Sequence, residues 1–175
     1  ILTAGICSGF SRSNLRRGLI VFGLALALTV VTYLYQPSDP ILFGILHFMG
    51  AAMLIYAFAE KYMKRIPWQL GVALFGLFFV IAYAMLGSQG IRVDVPGLFA
   101  FGLPDQKFTS ADYYPILPWI FAFLAGGFLS VPILEHRFPK WFYNVRIPVL
   151  ETVGRNALLI FILHQPVALL LLRLI

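Results

Sequence analysis

The chain has few of the side chains that cover a soluble domain and almost none of those that cross-link a secreted one. Only 11% of its 175 residues are charged, where soluble domains carry roughly a quarter. Seven are acidic, against 13 Lys plus Arg. The single Cys7 excludes an internal disulfide and any Cys-rich metal site, and no metal cofactor is expected. No basic patch is interleaved with aromatics, so nucleic acid is not an expected partner. There is no repeat of fixed period and no low-complexity segment, and no run in this sequence reads as a cleavable signal peptide. The chain does not begin with Met and opens inside an apolar stretch, so an upstream part is expected.

What remains is apolar: 61% of the residues are hydrophobic, in runs that approach the roughly 20 residues a bilayer-spanning helix needs. The expected fold is all-α: a polytopic transmembrane helix bundle of about six spans with the first truncated, forming a single integral membrane domain over 1–175. The expected spans are 1–9, 18–35, 41–59, 68–86, 113–134 and 150–174. Gln36-Pro37-Ser38-Asp39-Pro40 is turn chemistry, and 87–112 is a long loop rich in Gly, Pro and Asp.

Loop charge alternates. Arg12, Arg16 and Arg17 fall in the first loop, Lys61, Lys64 and Arg65 in the third, and Arg137, Lys140 and Arg146 in the fifth. The second loop has no basic residue, and in the fourth Arg92 and Lys107 oppose Asp94, Asp105 and Asp112. The positive-inside rule makes the odd loops cytoplasmic.

That orientation gives depths to the polar residues. His47 falls about 9 Å in from the outer end of its expected helix, and His164 about 21 Å up from the cytoplasm, at 1.5 Å per residue. The two imidazoles are expected to share the outer half with Asp112, Tyr113 and Tyr114. Titratable groups at membrane depth are costly and usually functional. Each also has a plainer reading. An intramembrane His can join two helices by hydrogen bonds, and Asp112 can cap a helix starting at Tyr113. The arginines can be a topology signal that meets head groups, Gly126-Gly127 can permit close helix packing, and Trp68, Trp119 and Trp141 fit an aromatic belt. On the cytoplasmic side, Ser13 or Asn14 can cap the helix that follows, where Arg12, Arg16 and Arg17 favour phosphate. Arg155 and Asn156 begin the buried part of the last helix on the same side.

Several motifs occur in a telling order: Ser8-Gly9-Phe10-Ser11-Arg12-Ser13, Arg16-Arg17-Gly18, Phe43-Gly44-Ile45-Leu46-His47-Phe48, Asp112-Tyr113-Tyr114-Pro115-Ile116-Leu117-Pro118-Trp119, and the stretch from Gly154-Arg155-Asn156 to His164-Gln165-Pro166. Over nearly the whole chain this resembles the bacterial membrane proteins grouped with the catalytic domain of heparan-α-glucosaminide N-acetyltransferase. The resemblance implies a transmembrane acyltransferase in the inner (cytoplasmic) membrane of a bacterium. It would bind acetyl-CoA or another acyl-CoA from the cytoplasm and pass the acyl group to a sugar or amine acceptor on the far side. The family's first helix and following loop, with acidic and basic residues and, in the animal enzyme, a catalytic histidine, precede the start of this chain. Acyl transfer needs a base and an oxyanion donor. His164 or His47 could be the base, Gln165 or the other His the donor, with Asp112 in the same site. Arg12, Arg16, Arg17, Arg155 and Asn156 could hold the nucleotide. The competing readings are a proton-coupled small-solute transporter and a non-enzymatic membrane subunit. Membrane lipid is a partner in each, and the sequence leaves open whether the chain forms a homo-oligomer.

Overall fold

The structure, a computed structural model, describes residues 1–35, 37–93, 95–144, 148–161 and 163. Among them there are seven α-helices, one 3-10 turn and no strand longer than an isolated bridge. The chain falls into two compact units, Ile1–Arg137 and Phe138–Ile175.

The first unit holds α1 (Leu2–Phe10), α2 (Asn14–Tyr35), α3 (Ile45–Met63), α4 (Trp68–Leu86), the 3-10 turn Phe99–Phe101 and α5 (Trp119–Leu134). α1 packs on α5, α2 on α3, and α4 on α5. Residue order across each seam gives the directions. On α1, Gly5 meets Phe123 and Gly126, and Gly9 meets Gly127 and Ser130, so α1 and α5 are parallel. Gly18 meets Leu54 and Gly50 meets Phe22, so α2 and α3 are antiparallel. Gly71 meets Phe128 while Phe79 meets Trp119, so α4 opposes α5. Thus α1, α3 and α5 run one way and α2 and α4 the other.

Small residues set the α1–α5 distance. A Cβ on Gly5 would stand 2.0 Å from the Phe123 carbonyl oxygen, and one on Gly126 2.1 Å from that of Leu2. Gly5 and Gly9 form a small-xxx-small pair, the device by which membrane helices bring backbones together. Aromatics fill the other seams. Phe123 lies edge-on to Phe48 and Tyr56, and Phe75 stacks on Phe128.

α2 and α4 are long and apolar enough to cross a membrane, yet only 11% and 6% of their most apolar windows are buried. The core helix of a soluble protein would be mostly covered. Here Leu19, Leu26, Val30, Val31 and Leu34 on α2, and Leu70, Leu77, Val80 and Met85 on α4, face outward. An apolar exterior of this extent suits hydrocarbon, not water, and marks a membrane protein.

Several helix ends depart from the expected ones. α2 starts at Asn14 rather than 18 because Arg16 and Arg17, good helix formers, join its first turn. α3 starts at Ile45 rather than 41 because Phe43 pairs with Tyr113 and accepts the Tyr114 N–H at 2.9 Å. It runs on to Met63 and stops short of Pro67, before which helix is disfavoured. α5 starts at Trp119 rather than 113, since Pro115 and Pro118 cannot donate and keep their predecessors extended. α5 is therefore a 16-residue helix. α4 has the expected bounds, between Pro67 and a Gly87 with φ 70°.

The long loop is ordered by its own bonds. Ile91 donates to Gly102 and Val93 to Pro104, while Arg92 Nη1 donates to the carbonyls of Asp105 and Gln106 at 3.1 and 3.0 Å. Phe108 stacks on Phe99, and Trp119 Nε1 donates to Ser88.

The second unit holds α6 (Lys140–Asn144) and α7 (Pro148–Arg155), with helix again at 157–161. Pro148 at the first position of α7 loses no helical bond.

Candidate functional site

The described candidate residues of the first unit gather at two ends of α2. Near the C-terminal end of α2, His47 is the third residue of α3 and 2% exposed. It therefore lies about 3 Å along the helix axis, not the 9 Å expected. Its Nδ1 accepts the Gly44 N–H at 3.2 Å. A backbone N–H only donates, so Nδ1 is unprotonated and the neutral ring carries its proton on Nε2. Nε2 lies 3.0 Å from Thr29 Oγ1, which in turn donates to the Ile41 carbonyl at 2.7 Å. Every polar atom of the imidazole is thus occupied. One donor arrives from the α3 N-terminus and one acceptor comes from α2.

Asp112 completes the same helix end. Its Oδ2 accepts the Ile45 N–H at 2.9 Å, one residue beyond the N–H that His47 takes. Ser110 Oγ accepts from Leu42 N–H at 3.1 Å and donates to the Asp112 carbonyl at 2.7 Å. The helix that Asp112 caps is therefore α3, reached across the long loop, and not one starting at Tyr113, where two prolines prevent a helix. His47 and Asp112 do come together, as neighbouring caps of one helix end. Asp112 brings the negative charge that a helix N-terminus favours, and His47 brings a neutral acceptor for one of its free N–H groups.

A cavity of about 660 Å³ lies on the opposite face of α3. Ile45, Met49, Phe79, Tyr114, Trp119 and Ala122 are among the residues that line it. His47 turns the other way, edge-on to Phe22 of α2. The apolar cavity and the imidazole do not share a space.

At the other end of α2, about 22 Å from Thr29 along the axis, Arg12 leads in and Arg16 and Arg17 occupy the first turn. All three are exposed. No acidic residue stands in that turn, and among the described residues no carboxylate pairs with any of the three. Arg17 N–H makes the first helical bond, to Ser13 at 3.2 Å, so the N–H groups before it are the orphan donors of a helix start. Three guanidinium groups at the positive end of a helix dipole repel it and each other. An anion would relieve that repulsion, and guanidinium and backbone N–H are both donors to phosphate oxygens.

Beneath the arginines lies a residue that sequence reasoning treated only as a capping choice. Asn14 is 5% exposed, and its Nδ2 donates to the Ser8 carbonyl at 2.8 Å. Its Oδ1 is buried with no partner among the described residues, a cost of about 1–3 kcal/mol when nothing is bound to it. The signal was available: Asn14, Gly18, Ala25 and Thr29 fall at near-helical spacing on the face of α2 turned to α3, and Asn14 is the polar start of that stripe.

In the second unit, Arg155 pairs with Glu151 at 2.7 Å and Asn156 Nδ2 donates to Thr152 at 2.9 Å. The Arg155 guanidinium is thus partly matched already. His164, Gln165 and Pro166 lie outside the described residues, as does Arg146.

A bundle of alternating helices with an apolar exterior, capped polar ends and a cationic corner unmatched among the described residues defines a helical membrane protein. The chain belongs to the family described as heparan-alpha-glucosaminide N-acetyltransferase, catalytic, whose model matches residues 1–166. Membership places it among N-acetyltransferases. No curated protein and no solved structure matches it.

Proposed function

We propose that the protein is an acyl-CoA-dependent transferase of about six spans. It takes an acetyl or other acyl group from acyl-CoA on the cytoplasmic side and delivers it to a sugar or amine acceptor on the far side of a bacterial inner membrane. The observation that carries this reading is the corner at Arg12, Arg16 and Arg17, which is uncompensated by acid in the first turn of α2. In an acetyltransferase family such a corner suits the phosphates of a nucleotide donor. Arg155 and Asn156 are assigned to the same donor on the strength of their sequence position.

In the reaction the acceptor nitrogen or oxygen bonds to the thioester carbonyl carbon, the carbon–sulfur bond breaks, and the thiolate leaves. The proton lost by the acceptor must be taken up by a base, and a neutral imidazole suits that at pH 7. His47 has its lone pair on the Gly44 N–H. The base in this reading is therefore His164, with Gln165 donating to the oxyanion. His47 and Asp112 are positioning residues that hold the outer end of α3 to α2 and the long loop.

The test is binding and transfer with the purified protein in nanodiscs. Titration with acetyl-CoA should give saturable binding, and labelled acetyl should appear on an amino-sugar or sugar acceptor. Absence of any CoA binding in both detergent and nanodisc would overturn the reading.

A further inference from the structure

The cavity of about 660 Å³ has no part in the chemistry assigned so far, yet four helices build it. Met49 of α3, Gly76 and Phe79 of α4, Ala122 of α5 and the rings of Tyr114 and Trp119 stand on its wall, with the first residues of α1. Its size is that of a small-molecule site. No charged side chain lines it. Its two polar side chains are Tyr114 and Trp119. Trp119 Nε1 is already given to the Ser88 carbonyl, and the Tyr114 hydroxyl bonds to no described residue. Small residues keep the space open: a Cβ on Gly76 would meet nothing within 4 Å. An apolar space of this kind does not hold water, and left unfilled it forfeits packing contacts along its whole lining.

Two observations point to its occupant. First, the cavity reaches the exterior of the bundle. Leu2 on its wall is 43% exposed, and Leu77 and Val80, beside Gly76 and Phe79 in sequence, face outward. That exterior suits hydrocarbon, so an alkyl or prenyl chain enters from the bilayer without crossing water. A free sugar does not fit, because most of its hydroxyls would be buried without partners. Second, the cavity touches the starts of α1, α3 and α5, the end of the bundle away from the arginine corner. With the donor held at the arginines, this end is the acceptor's. We propose that the cavity holds the apolar chain of the acceptor, so that the sugar or amine to be acylated is carried on a lipid, with its head toward Tyr114. This rests on the transferase reading given above and names the class of its acceptor.

The experiment gives the protein, in phosphatidylcholine nanodiscs, two acceptors with one head: glucosamine and dodecyl glucosaminide. With acetyl-CoA as donor, KM for the dodecyl compound should be lower by about ten-fold or more. Partition into the bilayer also lowers that KM, so variants decide. Gly76→Leu and Ala122→Leu, which put bulk into the cavity, should each cut the ratio of the two KM values about ten-fold. Gly23→Leu, at an equally open position on α2, should keep it. A ratio that survives both cavity variants, or no preference in the wild type, overturns the lipid-borne acceptor and leaves the transferase reading standing. Coenzyme A binding without transfer to either compound also overturns the acceptor alone. Absence of both binding and transfer overturns both readings. A second measurement needs no turnover: a dodecyl glucosaminide with a diazirine in its chain should label Met49, Phe79 or Ala122. Excess dodecyl glucosaminide should suppress the label, and dodecylphosphocholine at the same concentration should not. Equal suppression by both, or label spread over the outward faces of α2 and α4, means that bulk lipid fills the cavity, and the proposal fails.

Discussion

Thr29 Oγ1 stands 3.0 Å from His47 Nε2 and donates its own hydrogen bond to the Ile41 carbonyl, so one hydroxyl ties α2 to α3 and to the turn between them. The relationship explains why an imidazole sits inside an apolar bundle. His47 accepts from a helix end on one ring nitrogen and donates to a neighbouring helix from the other.

His47→Ala should therefore act first on stability. It strands the Gly44 N–H and removes the donor to Thr29, with an expected loss of about 1–3 kcal/mol. His47→Asn, which keeps an acceptor near Gly44, should lose less. Thermal unfolding in detergent checks the order, and coenzyme A binding should be unchanged in both variants because the arginine corner lies at the far end of α2. A His47→Ala protein of full stability but no transfer activity would return His47 to the role of base.

Asp112 caps α3 from a residue 67 positions away. Asp112→Ala should free the Ile45 N–H and loosen the loop, costing about 0.5–2 kcal/mol as other lost N-caps do. Asp112→Asn keeps an acceptor oxygen and should cost less. Hydrogen exchange reads this directly: amides at 42–46 and at 110–114 should exchange faster together in Asp112→Ala. Faster exchange in only one of the two segments would argue against a shared clasp.

Glycines separate packing from propensity. Gly126→Ala drives a Cβ to 2.1 Å from the Leu2 carbonyl oxygen and 3.1 Å from the Gly5 Cα, both backbone atoms that cannot move aside. It should destabilise by roughly 1–3 kcal/mol. Gly23→Ala meets nothing within 4 Å and should be neutral or stabilise by up to about 1 kcal/mol through helix propensity. Comparing the two melting temperatures checks the α1–α5 seam, and similar values would mean the helices are not in close contact.

How much of this could be read in advance depended on whether the deciding contact was local. The bounds of α4 were legible because Pro67 and Gly87 punctuate it within its own sequence. The close packing at Gly126-Gly127 was legible from residue size alone. The start of α3 was not, because it is set by Phe43 pairing with Tyr113, seventy residues on. The same distant pairing puts His47 nearer the start of α3 than expected. Asp112 was recognised as a capping residue but assigned to the wrong helix, since the chemistry is local and the choice of partner is not. The burial of Asn14 showed only in the fold, where the Ser8 carbonyl takes its Nδ2 and Oδ1 has no partner among the described residues.

The arginine corner makes a prediction about salt. Arg16→Ala and Arg17→Ala should each weaken coenzyme A binding by about ten-fold, in the range of one lost charge-assisted hydrogen bond. The wild-type affinity should fall as ionic strength rises, because exposed guanidinium groups are screened beyond about 10 Å at 0.1 M. Each variant should show a shallower salt dependence than the wild type. Affinity that is insensitive to both salt and these substitutions would place the nucleotide elsewhere.

His164 carries the remaining chemical burden in the proposed reaction, since the His47 lone pair is taken by the Gly44 N–H. If His164 removes the acceptor proton, His164→Ala should lower transfer by about 10²–10⁴-fold, the usual worth of a positioned general base. Donor binding is assigned to the arginines in the proposed reaction and should persist. Gln165→Ala, if it removes one oxyanion donor, should lower the turnover rate by about 10²–10³-fold with little change in donor affinity. Single-turnover transfer measured beside coenzyme A titration separates these effects. If His164→Ala retains wild-type transfer while His47→Ala abolishes it without loss of stability, the roles of the two imidazoles are reversed. The Gly44 N–H must then release His47 during the reaction.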